Sequence, residues 1–359
     1  MFFIDDILKI FIPTTVTFCV GIILSIFLSH YLYKYQMWKK KSGKRDPSGA
    51  ATPIFDELHK NKEVGTPKMG GVVIWLSAFL TIASLWFLAR LLPFGVWQKL
   101  DLLSRNQTWI PLCTLLLGGF VGLIDDFLEV KGNGDYVAGG LSLKKRLFLV
   151  ALISLGVALW FYFKLEVWSV GIPLYGELYL GWLFIPFFVI VTIGLYSGGV
   201  IDGLDGLAGG IFSIIFFAYA VIAFYQNQIN LAAFCAVIVG GLLAFLWFNI
   251  PPARFYMSET GSMALTITLA VVAFMTDSLS EGHGISALPI IAFPLIATSL
   301  SDVIQLSSKK WRGGKKIFLV APIHHHFEAK GWPSYKVTMR FWVIGVMFAT
   351  IGMIIALIR

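Results

Sequence analysis

Asp202 and Asp205 lie three positions apart in Ser197-Gly198-Gly199-Val200-Ile201-Asp202-Gly203-Leu204-Asp205-Gly206-Leu207-Ala208-Gly209-Gly210, a glycine-rich turn between two long apolar runs. If the turn opens a helix, both carboxylates project to one side, and Gly203 and Gly206 let a ligand come close to the backbone. Such a group suits a cation or a phosphate, or serves only as a polar tip that keeps two helix ends in water. A second acidic pair, Asp125-Asp126, stands where another apolar run ends. Adjacent like charges repel and a helix C-terminus disfavours negative charge, so a bound cation would relieve a conflict that stability alone does not call for. The alternative is a solvated helix end. Glu259 stands in a third such place, Met257-Ser258-Glu259-Thr260-Gly261-Ser262, among small residues at a helix start with Asn249 and Arg254 upstream.

Cationic and imidazole groups accompany these acids. Lys68 sits in the turn Gly65-Thr66-Pro67-Lys68-Met69-Gly70-Gly71, and a flexible loop runs from Lys131-Gly132-Asn133-Gly134 to Lys144-Lys145-Arg146. The last polar segment holds His324-His325-His326, whose rings can donate to phosphate or bind metal. A zinc site wants more evenly spaced nitrogen and sulfur ligands, so phosphate and sugar contacts are the favoured role. Cys19, Cys113 and Cys235 fall inside apolar runs without metal-type spacing and read as packing residues. Carboxylates with little sulfur select a hard ion, and Mg²⁺ characteristically bridges one or two carboxylates to substrate phosphates. No Gly-x-x-x-x-Gly-Lys-Ser/Thr loop and no serine elbow appears. The chemistry these parts permit is phosphoryl transfer on a lipid.

The elements that must position them are membrane helices. Of 359 residues 57% are hydrophobic and only 13% charged, which excludes an ordinary soluble protein. A span takes about 20 apolar residues, and ten runs qualify: 8–33, 70–92, 108–124, 147–163, 182–199, 207–225, 231–248, 262–279, 285–305 and 339–358. The expected fold is an all-α integral membrane protein, a single polytopic domain over residues 1–359. The net charge of +8 does not point to nucleic acid, because 22 of the 28 Lys and Arg cluster on the loops after odd-numbered runs, counting Arg340 at the mouth of the last run. The positive-inside rule puts those loops in the cytoplasm and both chain ends in the periplasm. The tail carries Asp5 and Asp6 rather than a basic leader, so the first run reads as a retained anchor. Lys39-Lys40-Lys41 suits lipid headgroups, and Asp302 an interfacial position. Phe255 and Tyr256 read as interfacial belt residues or as a platform for a base. Pro289 and Pro294 predict a kink in the ninth run. An ion-coupled transporter buries ionisable groups near the midplane, and the centres of these runs carry none, so the site belongs on the cytoplasmic loops.

Ala321-Pro322-Ile323-His324-His325-His326-Phe327-Glu328 followed by Lys330-Gly331-Trp332 resembles a signature of the bacterial phospho-N-acetylmuramoyl-pentapeptide transferases. Thr66-Pro67-Lys68-Met69-Gly70-Gly71, Asp125-Asp126 and Asp202-Gly203-Leu204-Asp205-Gly206-Leu207-Ala208 resemble that family in the same order. The likeness spans nearly the whole chain. The aspartate motifs are shared with the wider polyprenyl-phosphate sugar-1-phosphate transferases, and the histidine stretch is the discriminator. The resemblance implies ten transmembrane helices, a lipid groove at a bent ninth helix and a homodimer in the bacterial inner membrane. It implies Mg²⁺-dependent transfer of phospho-N-acetylmuramoyl-pentapeptide from UDP to undecaprenyl phosphate, with UMP released. By position, Asp125 and Asp126 match acids that handle the polyprenyl phosphate, Asp125 being either base or metal ligand. Asp202 and Asp205 match nucleotide-site acids, and Glu259 falls where the family usually has its Mg²⁺-binding aspartate. These matches make Asp125, Asp126 and Glu259 the candidate catalytic and metal residues. Lys68, Asp202, Asp205, Asn249, His324, His325 and His326 are the candidate substrate contacts. Tyr196 and Gly199 stand where the family has asparagines. Two other functions stay open at this point: a related transferase for another UDP-N-acetylhexosamine, and a transporter or scaffold that keeps the fold without the chemistry.

Overall fold

Apolar runs in hydrocarbon must satisfy their backbone polar groups internally, and a helix does so within one segment. The computed structural model describes residues 4–39, 64–92, 95–104, 106–132, 140–278 and 282–358. Lys40, Lys41 and the loop residues 133–139 lie outside the described residues. The helices in chain order are α1 (Ile4–Lys34), α2 (Val72–Leu91), the short α3 (Val96–Lys99), α4 (Asn106–Lys131), α5 (Leu143–Lys164), α6 (Phe184–Ser197) and α7 (Leu207–Tyr225). They continue with α8 (Ile229–Asn249), α9 (Ser258–Ser278), α10 (Gly284–Ile291), α11 (Phe293–Trp311), α12 (Ile323–Ala329) and α13 (Ser334–Leu357). Among the described residues nine helices are long and apolar enough to cross a membrane, and α10 with α11 makes a tenth. The ten expected runs all recur.

The ninth span is broken, with α10 and α11 meeting at 66°. Pro294 lies at the start of α11 and has no N–H with which to continue the hydrogen-bond ladder of α10. The span therefore bends where the prolines predict. Burial sorts the rest: 94% of the apolar stretch of α9 is buried, against 22% for α1 and 28% for α13, so α9 is the axis of the bundle and the other two lie at its periphery.

Membrane helices associate through close packing of small residues, and two glycines bring three helix ends together. A Cβ on Gly122 of α4 would lie 2.2 Å from the Glu259 carbonyl oxygen on α9, and one on Gly71 before α2 would lie 2.2 Å from the Gly261 nitrogen. Neither position has room for a side chain. The end of α4, the start of α2 and the start of α9 thus meet backbone to backbone.

The one element the helical reading did not include is a hairpin, β1 (Ser169–Ile172) with β2 (Gly176–Tyr179), paired antiparallel with Val170 opposite Leu178. Its strands are too short to leave a pattern in the sequence. Asp277 ties it down, accepting the Gly171 N–H at 2.9 Å on one oxygen and the Ile285 N–H at 3.2 Å on the other. A buried carboxylate needs such partners. On this same side Lys99 meets Asp5 at 2.6 Å.

Candidate functional site

On the opposite side, α4 carries Asp125, Asp126 and Glu129, whose i, i+3 and i, i+4 spacing sets them on one flank of its last turns. Asp126 is fully buried. Its Oδ2 accepts the Thr260 N–H at 2.9 Å and the Thr260 hydroxyl at 2.6 Å. Its Oδ1 accepts no hydrogen bond among the described residues and faces the Lys68 ammonium at 3.9 Å. Asp125 accepts the Leu141 N–H on Oδ1 at 2.5 Å, and its Oδ2 lies 3.7 Å from Arg146 Nη1. The start of α9 receives Asp126 where its free amides carry partial positive charge.

Lys68 is placed by backbone pairing rather than by a helix. Its N–H donates to the Met37 carbonyl at 2.9 Å, while Gly70 donates to Tyr256 at 2.8 Å and Tyr256 donates back to Pro67 at 2.8 Å. The ammonium contacts Glu129 at 2.5 Å, and Lys39 adds a second cation to Glu129 at 3.4 Å. Burial alone would lower the Lys68 pKa, but the Glu129 and Asp126 carboxylates overcome it and hold the group above the ordinary lysine range. Lys68 is therefore a fixed positive charge.

Glu259, in the first turn of α9, points the other way, toward α5 and α6. Arg146 Nη1 meets its Oε1 at 2.5 Å, and the Tyr196 hydroxyl donates to its Oε2 at 3.2 Å. Ser262 adds a longer contact at 3.5 Å.

Asp202 and Asp205 sit outside a helix, between the 3-10 turn Gly198–Ile201 and the start of α7. They nonetheless face the same segment. Asp202 accepts the Ser258 N–H at 2.7 Å and Asp205 the Ala253 N–H at 3.2 Å, so both carboxylates clamp the α8–α9 connection. Asn249 closes this clamp from behind, accepting the Gly206 N–H at 2.9 Å and donating to the Phe255 carbonyl at 2.8 Å. Phe255 is fully buried and stacks on Phe248, so it is core rather than belt or platform.

Three consecutive histidines on α12 cannot share one direction, and they do not. A Cβ on Gly203 would lie 2.4 Å from His324 Nε2 and 2.8 Å from His325 Nε2, which sets both rings against the Asp202–Asp205 turn. His325 Nδ1 pairs with Glu328 at 2.8 Å, and Ser334 holds the other Glu328 oxygen at 2.7 Å. His326 turns away and accepts the Leu319 N–H at 3.1 Å. Burial and then the Lys330 ammonium hold its imidazole below the ordinary histidine range.

Asp125, Asp126, Lys68 and Glu259 thus form one cluster, and Asp202, Asp205, Asn249, His324 and His325 a second. The start of α9 joins them, since Ser258 binds Asp202 and Thr260 binds Asp126. Glu129 was not foreseen, although its spacing from Asp125 and Asp126 was the available signal. Arg146 was foreseen only as loop charge.

The donor set for a divalent cation is all oxygen, which fits Mg²⁺. Among the described residues Asp126 Oδ1 is buried without a hydrogen bond and Asp125 Oδ2 has only the 3.7 Å contact with Arg146, so these two carboxylates fit the ion with substrate oxygens completing its shell. Among the described residues no three His, Cys, Asp or Glu side chains stand close enough to hold a metal by themselves. A cluster of fixed cations and incompletely engaged carboxylates at helix ends can bind a pyrophosphate and neutralise charge as it moves.

The glycosyl transferase family 4 pattern matches residues 108–277. Over 303 residues the chain is 35% identical to a phospho-N-acetylmuramoyl-pentapeptide-transferase of Listeria innocua, covering 84% of this chain and 87% of that protein. A protein of the same name from Chloroflexus aurantiacus is 34% identical over 309 residues, covering 82% and 78%. One from Chloroflexus aggregans is 30% identical over 368 aligned positions, covering 99% and 91%.

Proposed function

The chain belongs to the phospho-N-acetylmuramoyl-pentapeptide-transferase family, and from that premise we propose how its site carries out the reaction. It is a phosphoglycosyl transferase of the bacterial plasma membrane, a multi-pass protein that transfers phospho-N-acetylmuramoyl-pentapeptide to a lipid carrier in peptidoglycan synthesis. In our reading the donor is UDP-N-acetylmuramoyl-pentapeptide, the carrier is undecaprenyl phosphate, and residues 1–359 work as one domain in a homodimer with the site facing the cytoplasm and both chain ends in the periplasm.

The observation that carries this reading is the pairing of the buried, incompletely satisfied Asp126 with the fixed Lys68 cation 3.9 Å away. A phosphate oxygen of the carrier attacks the β-phosphorus of the donor in line. The new phosphorus–oxygen bond forms as the bond to the UMP oxygen breaks, and UMP leaves with that electron pair. Phosphate oxygens are already ionised near neutral pH, so the residues position and neutralise rather than abstract a proton. Mg²⁺ held by Asp125 and Asp126 would draw charge from the pyrophosphate. Lys68 faces the same oxygens from the α2 side. Asp202 and Asp205, with His324 and His325 against their turn, form the adjoining wall for the nucleotide and sugar, and Asn249 keeps that turn in shape. His326 supports the wall through Leu319.

The test is conversion of fluorescent UDP-N-acetylmuramoyl-pentapeptide to a lipid-extractable product by the detergent-purified protein with undecaprenyl phosphate, in Mg²⁺ or EDTA. UDP-N-acetylglucosamine runs in parallel. Mg²⁺-dependent product from the muramoyl donor alone supports the reading. Product from the other donor, or equal product in EDTA, overturns its donor or its metal.

A further inference from the structure

We infer that Glu259 is the seat of Arg146 rather than a ligand of Mg²⁺, and that Arg146, so held, is a second cation beside Lys68 for the donor's pyrophosphate. This rests on the transferase reading above. Oxygen accounting supports it. Both Glu259 oxygens are engaged, Oε1 by the Arg146 guanidinium at 2.5 Å and Oε2 by the Tyr196 hydroxyl at 3.2 Å. Among the described residues a buried carboxylate oxygen that accepts no hydrogen bond belongs instead to Asp126.

For Glu259 to enter the shell of an ion that demands close, near-octahedral oxygens, it would have to release Arg146. The Arg146 side chain is 18% exposed, and its other acidic contact, Asp125, stands at 3.7 Å. A largely buried guanidinium without its carboxylate is strongly unfavourable. Arg146 Nε is buried and has no hydrogen-bond acceptor among the described residues. An unmet buried donor costs stability until an acceptor arrives. A guanidinium presents a planar fork that matches phosphate oxygens, so a pyrophosphate oxygen is the acceptor of the right chemistry. Glu259 and Tyr196, two of the three positions at which this sequence departs from the family pattern, thus meet in one device: the longer acid reaches the arginine and the phenol donates to the acid's second oxygen.

The full chain, purified in detergent, tests this by two readouts. The first is Mn²⁺ binding without substrates, followed by the electron paramagnetic resonance signal of the free ion, Mn²⁺ standing in for Mg²⁺ as an oxygen-seeking divalent ion. Asp126→Asn should weaken Mn²⁺ at least about tenfold, and Glu259→Gln should leave it within about twofold. The second is the donor KM against kcat. Glu259→Gln and Arg146→Gln should each raise KM about tenfold, with the double variant no worse than either single because both remove one unit. Tyr196→Phe, which removes one hydroxyl from an intact ion pair, should raise KM about threefold at unchanged kcat. Glu259→Gln weakening Mn²⁺ as Asp126→Asn does, or additive KM effects, would overturn the inference alone. A parent protein that makes no product would overturn the transferase reading and this inference with it.

Discussion

Asp126 takes two hydrogen bonds on one oxygen from Thr260, from its N–H at 2.9 Å and its hydroxyl at 2.6 Å, and so locks the end of α4 to the start of α9. Removing the hydroxyl leaves a buried carboxylate with half of that support. Thr260→Val should cost about 2 kcal/mol, the scale of a hydrogen bond to a charged group, while Thr260→Ser should stay near the parent. Thermal melting in detergent checks both. A Thr260→Val melt equal to the parent would separate the lock from stability.

Asp125→Asn and Asp126→Asn should each lower kcat by about 10²-fold or more at saturating Mg²⁺, the scale for losing one electrostatic group in a preorganised site. Initial rates with the fluorescent donor measure this. Parent-like rates in both variants would move the chemistry elsewhere.

Lys68 lies against Glu129 and Asp126, with Glu259 adding a weaker pull. Its folded pKa is raised, so the stability it contributes is full below the ordinary lysine value and is lost only as pH climbs through the higher folded value. Between pH 7 and 10 the melting temperature difference between the parent and Lys68→Met should therefore stay constant. A difference that shrinks as pH approaches 10 would mean that Lys68 releases its proton there.

Gly71 has no space for a methyl group beside Gly261. Gly71→Ala must push α2 away from α9, at a cost of about 1–3 kcal/mol for overpacking. Because Lys68 is three residues away, activity should fall more steeply than stability. The comparison is melting temperature against kcat/KM.

Glu328 holds His325 Nδ1 at 2.8 Å and thereby fixes which ring nitrogen faces the Gly203 turn. Glu328→Gln keeps the shape and alters that preference. The donor KM should rise about tenfold with little change in melting temperature, as for loss of an orienting partner. An unchanged KM would reduce His325 to packing.

The ten spans were legible in residue order alone, because a run of about 20 apolar residues in hydrocarbon satisfies its backbone as a helix. A kink in the ninth span was legible in Pro289 and Pro294, since a missing N–H is a local fact, while the fold places the break at Pro294 and keeps Pro289 inside α10. Residue type and order carried the family, and they carried Lys68, Asp125 and Asp126 as candidates. Which groups meet depends on how the helices pack. Asp202 and Asp205 read in sequence as a pair for a cation or phosphate, and that they also hold N–H groups of the α8–α9 connection follows only from the fold. Asn249 matches a substrate contact by position, and only the fold shows that its amide also bonds Gly206 and Phe255. The direction of each histidine on α12 depended on how that helix docks against the turn at Gly203. Arg146 and Glu259 are 113 residues apart, and no local pattern connects charges on different helices. Their pairing requires the start of α5 to pass beside the start of α9, a relation that exists only in three dimensions.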